Sequence, residues 1–135
     1  MTPKPAAVPK ARILVVDDHP EVVATFGLYF SEKGFVVRGA ASAREALALV
    51  EKEKFDVIFL DNDMPVATGL QSIAGLSRKS GAPIIMITGH FDPDLKKDAL
   101  LLGAADCLAK PPDFPELEKR VLKIVEDRKR DYPQG

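Results

Sequence analysis

Five short apolar runs constrain this chain more than any other feature. They are "ILVV" (13–16), "FVVRGA" (35–40), "VIFL" (57–60), "PIIMIT" (83–88) and "DCLA" (106–109). Each is brief, rich in β-branched residues and bounded by Gly, Pro or a charged residue, so each reads as a strand. Strands this uniformly apolar have both faces buried, which is the condition of a parallel sheet covered by helices on two sides.

The segments between the runs carry helical stripes. Val22, Phe26 and Phe30 stand four residues apart, with Gly34 as a helix stop. Ser42 is placed to cap a helix bearing Ala43, Ala46, Leu47 and Val50, with Glu45 as the partner in a capping box. Leu70, Ile73 and Ala74 predict a shorter third helix. Leu95, Ala99 and Leu102 predict a fourth, closed by Gly103, and Leu117, Val121, Ile124 and Val125 a fifth. Leu100 and Leu101 fall off the fourth stripe, so at least one of them is expected at the surface. The expected fold is α/β: a five-stranded parallel sheet in the order 2-1-3-4-5, doubly wound with five helices and flavodoxin-like. In that order strands 1 and 3 are neighbours, and the crevice between their carboxyl ends is where open α/β sheets bind ligands.

Composition bounds the rest. The 135 residues suit one folded unit, expected over 12–126, with a Pro- and Lys-containing tail over 1–11 and a second tail over 127–135. A net charge of -1 argues against nucleic acid as a partner, and "EDRKRD" (126–131) reads as a solvated helix end. The single cysteine excludes an internal disulfide and fits a reducing, cytoplasmic setting. No apolar run approaches the ~18 residues of a membrane span, so no membrane is expected as a partner.

The polar residues that follow the strands point to chemistry. Strand 1 ends in Asp17 and Asp18, strand 3 in Asp61 and strand 4 in Thr88, while strand 5 leads to Lys110. All five are expected at one edge of the sheet. Carboxylates crowded into one crevice repel unless a cation intervenes, and hard carboxylate oxygens suit Mg²⁺. A carboxylate beside bound Mg²⁺ can attack a phosphoryl group and become an aspartyl phosphate. Lys110 then supplies a cation and Thr88 a hydroxyl donor for the transferring oxygens, and Gly89 leaves room for them.

The motifs "VVDDHP", "FLDNDMPVATG", "MITG" and "AKPP" occur in the order and spacing of response-regulator receiver domains, the phosphoacceptor modules of two-component signalling. The chain resembles that family over roughly residues 12 to 126, and "DNDMPVATG" matches its D-x-x-M-P-x-x-x-G pattern. The resemblance implies that Asp61 accepts phosphate from a histidine kinase or phosphotransfer protein. It implies Mg²⁺ held by Asp18 and Asp61, with Asp17 nearby and the backbone carbonyl of Asp63 as a further ligand. Thr88 and Lys110 would bind the phosphoryl oxygens, across a cis Lys110-Pro111 bond. Phosphorylation would then shift the surface of helix 4, strand 5 and helix 5 toward an unnamed downstream protein, and it leaves a phosphorylation-linked dimer open.

Some positions depart from the family pattern. Cys107 stands where the family usually places Tyr or Phe, three residues before the Lys, and reads as a small buried hydrophobe. Gly89 replaces the more frequent Ala, and Pro112 the frequent Phe. Asp63 and His90 lie two residues past the acceptor and the Thr, where the family tunes phosphate lifetime. His19 is expected in the loop beside Asp18 without a metal role. Two alternatives stand beside the receiver: a haloacid-dehalogenase-like phosphatase using Asp61 and Asp63 as its D-x-D pair, and a degenerate receiver acting only through protein contacts. Chain order speaks against the first, because the acidic pair precedes the D-x-D here and no cap segment is present. The receiver is expected to be a phosphoacceptor that takes part in its own phosphorylation and dephosphorylation, not an enzyme. With only "DYPQG" after helix 5, it is either a stand-alone regulator or a receiver excised from a larger protein.

Overall fold

The apolar runs become strands β1 (Arg12–Val16), β2 (Val36–Ala40), β3 (Val57–Asp61), β4 (Ile84–Thr88) and β5 (Asp106–Ala109). Between and after them lie helices α1 (Pro20–Glu32), α2 (Ala43–Lys52), α3 (Gly69–Ser80), α4 (Pro93–Leu101) and α5 (Phe114–Asp131). This computed structural model describes residues 8–64 and 68–131. Its strands form one parallel sheet in the order β2-β1-β3-β4-β5, the order expected.

Alternation along each strand divides the apolar side chains between two faces. Leu14, Val16, Ile58, Leu60, Ile84 and Met86 face one way and pack with Ala46 and Val50 of α2, Ile73 and Leu76 of α3 and Ala99 of α4. Ile13, Val15, Val57, Phe59, Ile85 and Ile87 face the other way, against Phe26 and Phe30 of α1 and Leu117 and Val121 of α5. Every residue of β3 and β4 is buried, as central strands must be. The second face is aromatic at its centre. Phe30 is fully buried, and its ring lies 5.3 Å from that of Phe35 and 5.7 Å from that of Phe59. Truncating a buried Phe to Ala costs about 3–5 kcal/mol, so Phe30 is a main support of this layer.

Local signals set the helix ends. The Ser42 hydroxyl accepts from the Glu45 N–H at 3.1 Å, while the Glu45 carboxylate accepts from the Ala41 N–H at 2.6 Å. The expected box thus closes one residue upstream of Ser42. A full reciprocal box at Thr68 and Gln71 starts α3 and was not foreseen, although T-x-x-Q is its signature. That helix is 12 residues long, not short, and buries Leu76 beside Ile73 while Ala74 is exposed.

Three expectations shift. α4 ends at Leu101, and Gly103 turns into the left-handed region (φ 111°) so that the Ala104 N–H reaches the Ala99 carbonyl at 2.9 Å. Leu102 therefore leaves the buried stripe, and Leu100, Leu101 and Leu102 are exposed by 43%, 76% and 44%. At the N-terminus, residues 1–7 of the expected tail lie outside the described residues. Lys10 and Ala11 belong to the fold, because the Lys10 N–H donates to the Gly34 carbonyl at 3.0 Å and Ala11 is buried. At the other end α5 continues through Asp131, past the expected limit at 126. Glu126, Arg128, Lys129 and Arg130 are good helix formers, and Arg128 Nη1 donates to the Asp56 carbonyl at 3.3 Å. Residues 132–135 lie outside the described residues. Among the described residues, no helix is long and apolar enough to cross a membrane.

Candidate functional site

The sheet order brings the site together. Val16 of β1 pairs with Leu60 of β3, so the next residues, Asp17 and Asp61, emerge side by side. Thr88 ends β4, and Ala109 pairs with it from β5, which places Lys110 at the same edge. The Lys110 N–H donates to the Thr88 carbonyl at 2.8 Å, and the Lys110-Pro111 bond is cis. Gly69 begins α3 against the backbone of Asp61, where a β-carbon would collide with the Asp61 carbonyl oxygen. This close approach gives the final glycine of D-x-x-M-P-x-x-x-G its physical reason; Pro65 of that motif lies outside the described residues.

Charge is concentrated under the surface. Asp17 and Asp61 are each only 3% exposed. Lys110 Nζ donates to Asp17 Oδ2 at 3.1 Å and to Asp61 Oδ1 at 3.0 Å. Burial pushes the Asp61 carboxyl above its ordinary range, against the opposing pull of Lys110 and the Asp63 N–H, and the neighbouring Asp17 charge adds to the rise. For Lys110 burial works the other way, but its bonds to Asp61 and Asp17 prevail and hold the ammonium above its usual value. One cation thus serves two buried anions.

The donor set suits a hard divalent cation. Asp17, Asp18, His19 and Asp61 offer ligand atoms that lie within 4.8 Å of one another. Asp61 Oδ2 and Asp18 Oδ1 are buried and accept no well-directed hydrogen bond, although His19 Nδ1 lies close to the second as an ion-pair partner. A buried carboxylate oxygen without a donor costs free energy, and a cation held between these two oxygens would remove that cost. His19 lies beside Asp18, as expected, and touches Asp17 as well. Its Nδ1 lies 3.0 Å from Asp17 Oδ1 and 3.1 Å from Asp18 Oδ1, and its N–H donates to Asp17 Oδ1 at 2.9 Å. The hydrogen bond to Asp17, followed by the Asp18 charge, raises the imidazole pKa.

Asp63 has a different set of partners. Its carboxylate accepts from the Thr88 hydroxyl at 3.2 Å and from the Gly89 N–H at 3.0 Å, and it lies 3.2 Å from His90 Nδ1. Burial would raise the Asp63 pKa, but the Gly89 N–H, His90 and Thr88 outweigh it and hold the carboxyl low. Thr88 is fully buried and its hydroxyl also accepts from the His90 N–H at 3.0 Å. Of the expected residues, Asp17, Asp18, Asp61 and Lys110 converge on one cluster. Thr88 lies at the same edge with its hydroxyl on the Asp63 carboxylate, which is not among the four clustered ligand groups. The sequence held no sign of this Asp63–Thr88 pairing, since it depends on how the loops after β3 and β4 run side by side. Cys107 is buried as expected, within the α2–α4 side of the core, and burial, with the Asp106 charge second, pushes its thiol up.

Comparison with known proteins bears on this geometry. The family model described as response regulator receiver domain matches residues 13–122. The alginate biosynthesis transcriptional regulatory protein AlgB of Pseudomonas aeruginosa is 34% identical over 122 residues, which is 88% of this chain and 27% of AlgB. The chain thus spans about a quarter of that relative's length. Among solved structures, Vibrio cholerae chemotaxis protein CheY4 superimposes with a TM-score of 0.78 at 33% identity, covering 84% of this chain and 98% of CheY4. A Burkholderia pseudomallei response regulator protein, solved with a phosphorylated aspartic acid, a calcium ion and citrate, has a TM-score of 0.77 at 28% identity. That match covers 90% of this chain and 75% of the other. These likenesses do not favour the phosphatase or the interaction-only alternative.

Proposed function

Because this chain belongs to the response-regulator receiver family, we propose that Asp61 is its phosphoacceptor and that the acidic cluster around it holds Mg²⁺. The observation that carries this is Asp61 Oδ2: buried, beside a lysine, and accepting no hydrogen bond. An oxygen so placed has lone pairs open both to the cation beside Asp18 and to a phosphorus atom.

In the proposed transfer, Asp61 Oδ2 forms a bond to phosphorus while the P–N bond of a partner's phosphohistidine breaks and the imidazole leaves. Lys110 holds Asp61 Oδ1 at 3.0 Å, which fixes the carboxylate plane and offsets negative charge that gathers on the transferring oxygens. Asp17 keeps Lys110 in place from the other side. When bound by Asp18, Asp61 and the Asp63 carbonyl, with Asp17 nearby, the Mg²⁺ supplies electrostatic stabilisation of the phosphoryl oxygens. Thr88 and Gly89 offer a hydroxyl and an N–H to the remaining oxygen. The Burkholderia relative, with its phosphorylated aspartic acid and calcium ion, supports the pairing of aspartyl phosphate with a divalent cation.

The chain then acts as a signalling switch and not as an enzyme with its own substrate. It works in the cytoplasm, where a histidine kinase or phosphotransfer protein loads it and the α4–β5–α5 surface passes the signal to a downstream protein. Cys107 on β5 replaces the usual aromatic of that surface, so coupling from Thr88 runs without a swinging ring. The exposed Leu100, Leu101 and Leu102 make a phosphorylation-linked dimer part of this proposal, which light scattering before and after activation would check.

The deciding experiment is acetyl phosphate with and without Mg²⁺, wild type against Asp61→Asn, followed by intact mass. A single Mg²⁺-dependent adduct, slow to decay and absent from the variant, is expected. An unmodified wild type would overturn the proposal, and rapid multiple turnover would revive a phosphatase.

A further inference from the structure

We propose that His19 is a nitrogen ligand of the metal cluster and that it makes this site prefer a first-row divalent transition ion to Mg²⁺. The inference rests on the reading of Asp17, Asp18 and Asp61 as a cation site. It goes further by adding a ligand of a different kind, and it reverses the expectation that His19 has no metal role.

The position of His19 is unusual for its residue type. It is the N-cap of α1, where Ser, Thr, Asp or Asn would accept a helix N–H, yet its side chain caps nothing. Its backbone is held on both sides: the N–H donates to Asp17 Oδ1 at 2.9 Å, and the carbonyl accepts from the Val22 N–H at 3.0 Å. Pro20 follows at the start of the helix and stiffens the turn. The ring is directed to the acids instead, with Nδ1 3.0 Å from Asp17 Oδ1 and 3.1 Å from Asp18 Oδ1.

These separations are those of neighbouring ligands on one ion. Two donor atoms about 2.1 Å from a metal stand about 3.0 Å apart when their bonds meet at a right angle. One donor atom from each of Asp17, Asp18, His19 and Asp61 lies within 4.8 Å of the others, so a small contraction closes all four on one ion. Lys110 takes Asp17 Oδ2 and Asp61 Oδ1. Asp61 Oδ2, on a residue only 3% exposed, is left without a donor and points to a ligand that the chain does not itself supply. With its proton on Nε2, the His19 ring offers that ion the Nδ1 lone pair. Mg²⁺ keeps to oxygen, whereas the ions from Mn²⁺ to Zn²⁺ accept imidazole readily. As a counter-ion alone, His19 would instead repel any cation, and this sets the two roles apart.

The test is calorimetric titration of wild type, His19→Ala and His19→Gln with Mg²⁺ and, separately, with Co²⁺, at mildly alkaline pH. Wild type should bind Co²⁺ more tightly than Mg²⁺. His19→Ala should lose about tenfold or more in Co²⁺ affinity while its Mg²⁺ affinity stays unchanged. His19→Gln offers an oxygen and should not recover Co²⁺. Because the side chain caps nothing, both variants should fold. In Co²⁺-loaded wild type the paramagnetic ion should carry one imidazole N–H resonance far downfield. That resonance should be absent from His19→Ala, which retains His90, the other histidine, as the control. Equal changes for both ions in His19→Ala, in either direction, would make His19 a charge or a support and overturn the ligand. Full recovery of Co²⁺ by His19→Gln would overturn the nitrogen preference. Unchanged Co²⁺ affinity in His19→Ala would overturn the ligand while binding of either ion upheld the cation site. If neither ion binds wild type, the cation site itself fails and the ligand with it.

Discussion

Two buried carboxylates stand at opposite edges of one sheet and are treated differently. Asp106 opens β5 at the amino edge and is 7% exposed; Asp61 closes β3 at the carboxyl edge and is 3% exposed. Asp106 has a partner on every side. Lys96 of α4 lies 3.4 Å away, Arg120 of α5 contacts its other oxygen, and the Cys107 N–H donates to it at 2.7 Å. Asp61 shares one lysine with Asp17 and leaves Oδ2 without a donor. A structural carboxylate is completed by its own chain, whereas a reactive one keeps a position open at a cost in stability. The contrast agrees with the proposed acceptor role of Asp61 and with a supporting role for Asp106.

Metal binding should separate the two acids most. Mg²⁺ at about 100 times its dissociation constant should raise stability by about 2.7 kcal/mol, read as a higher urea midpoint. Asp61→Ala should lose most of that gain and Asp106→Ala should keep it; equal loss in both would erase the contrast. In metal-free buffer Asp106→Ala should cost about 2 kcal/mol, chiefly because the buried Cys107 N–H loses its acceptor. Lys96 and Arg120 are partly exposed and recover hydration, so their pairs add little. Asp106→Asn, which keeps an acceptor, should cost about half as much. Asp61→Ala without metal should change stability by less than about 1 kcal/mol, toward stabilisation, because an incompletely compensated buried charge is removed. A metal-free loss of about 2 kcal/mol there would make Asp61 as structural as Asp106.

The smallest effect concerns Cys107, which lies between these regions. Its thiol is held above its ordinary value of 9.0 by burial and then by Asp106, so the fold favours the protonated form. That contribution is whole below the unfolded value and fades as pH rises through the folded one. Wild type should lose more stability than Cys107→Ala between neutral pH and about pH 9.5, measured by urea midpoints. Parallel losses would show that the fold does not hold the thiol in its protonated form.

The residues explain which features could be read early. "VIFL" and "PIIMIT" are apolar without alternation, and only a strand buried on both faces permits that, so the sheet and its central strands were legible. Asp17, Asp61 and Lys110 were legible because parallel strands deliver their following residues to one edge. Leu102 was misplaced because a stripe says nothing of where the helix stops, and the left-handed turn at Gly103 decides that. The reach of α5 to Asp131 was missed because its charged residues suit a solvated end as well as a continuing helix.

Periodicity and strand-end chemistry are local properties, and they determined the order of elements, the two-faced core and the identity of the acidic cluster. Which anion each donor serves is a contest among groups distant in the chain, and only the folded molecule decided it. Lys110 bridges Asp17 and Asp61 across 93 and 49 positions, Asp63 takes Thr88 across 25, and Asp106 recruits cations from two helices. Hydrogen-bond partnership depends on ångström-scale distance and direction, and neither is set until the strands are in register and the helices have docked.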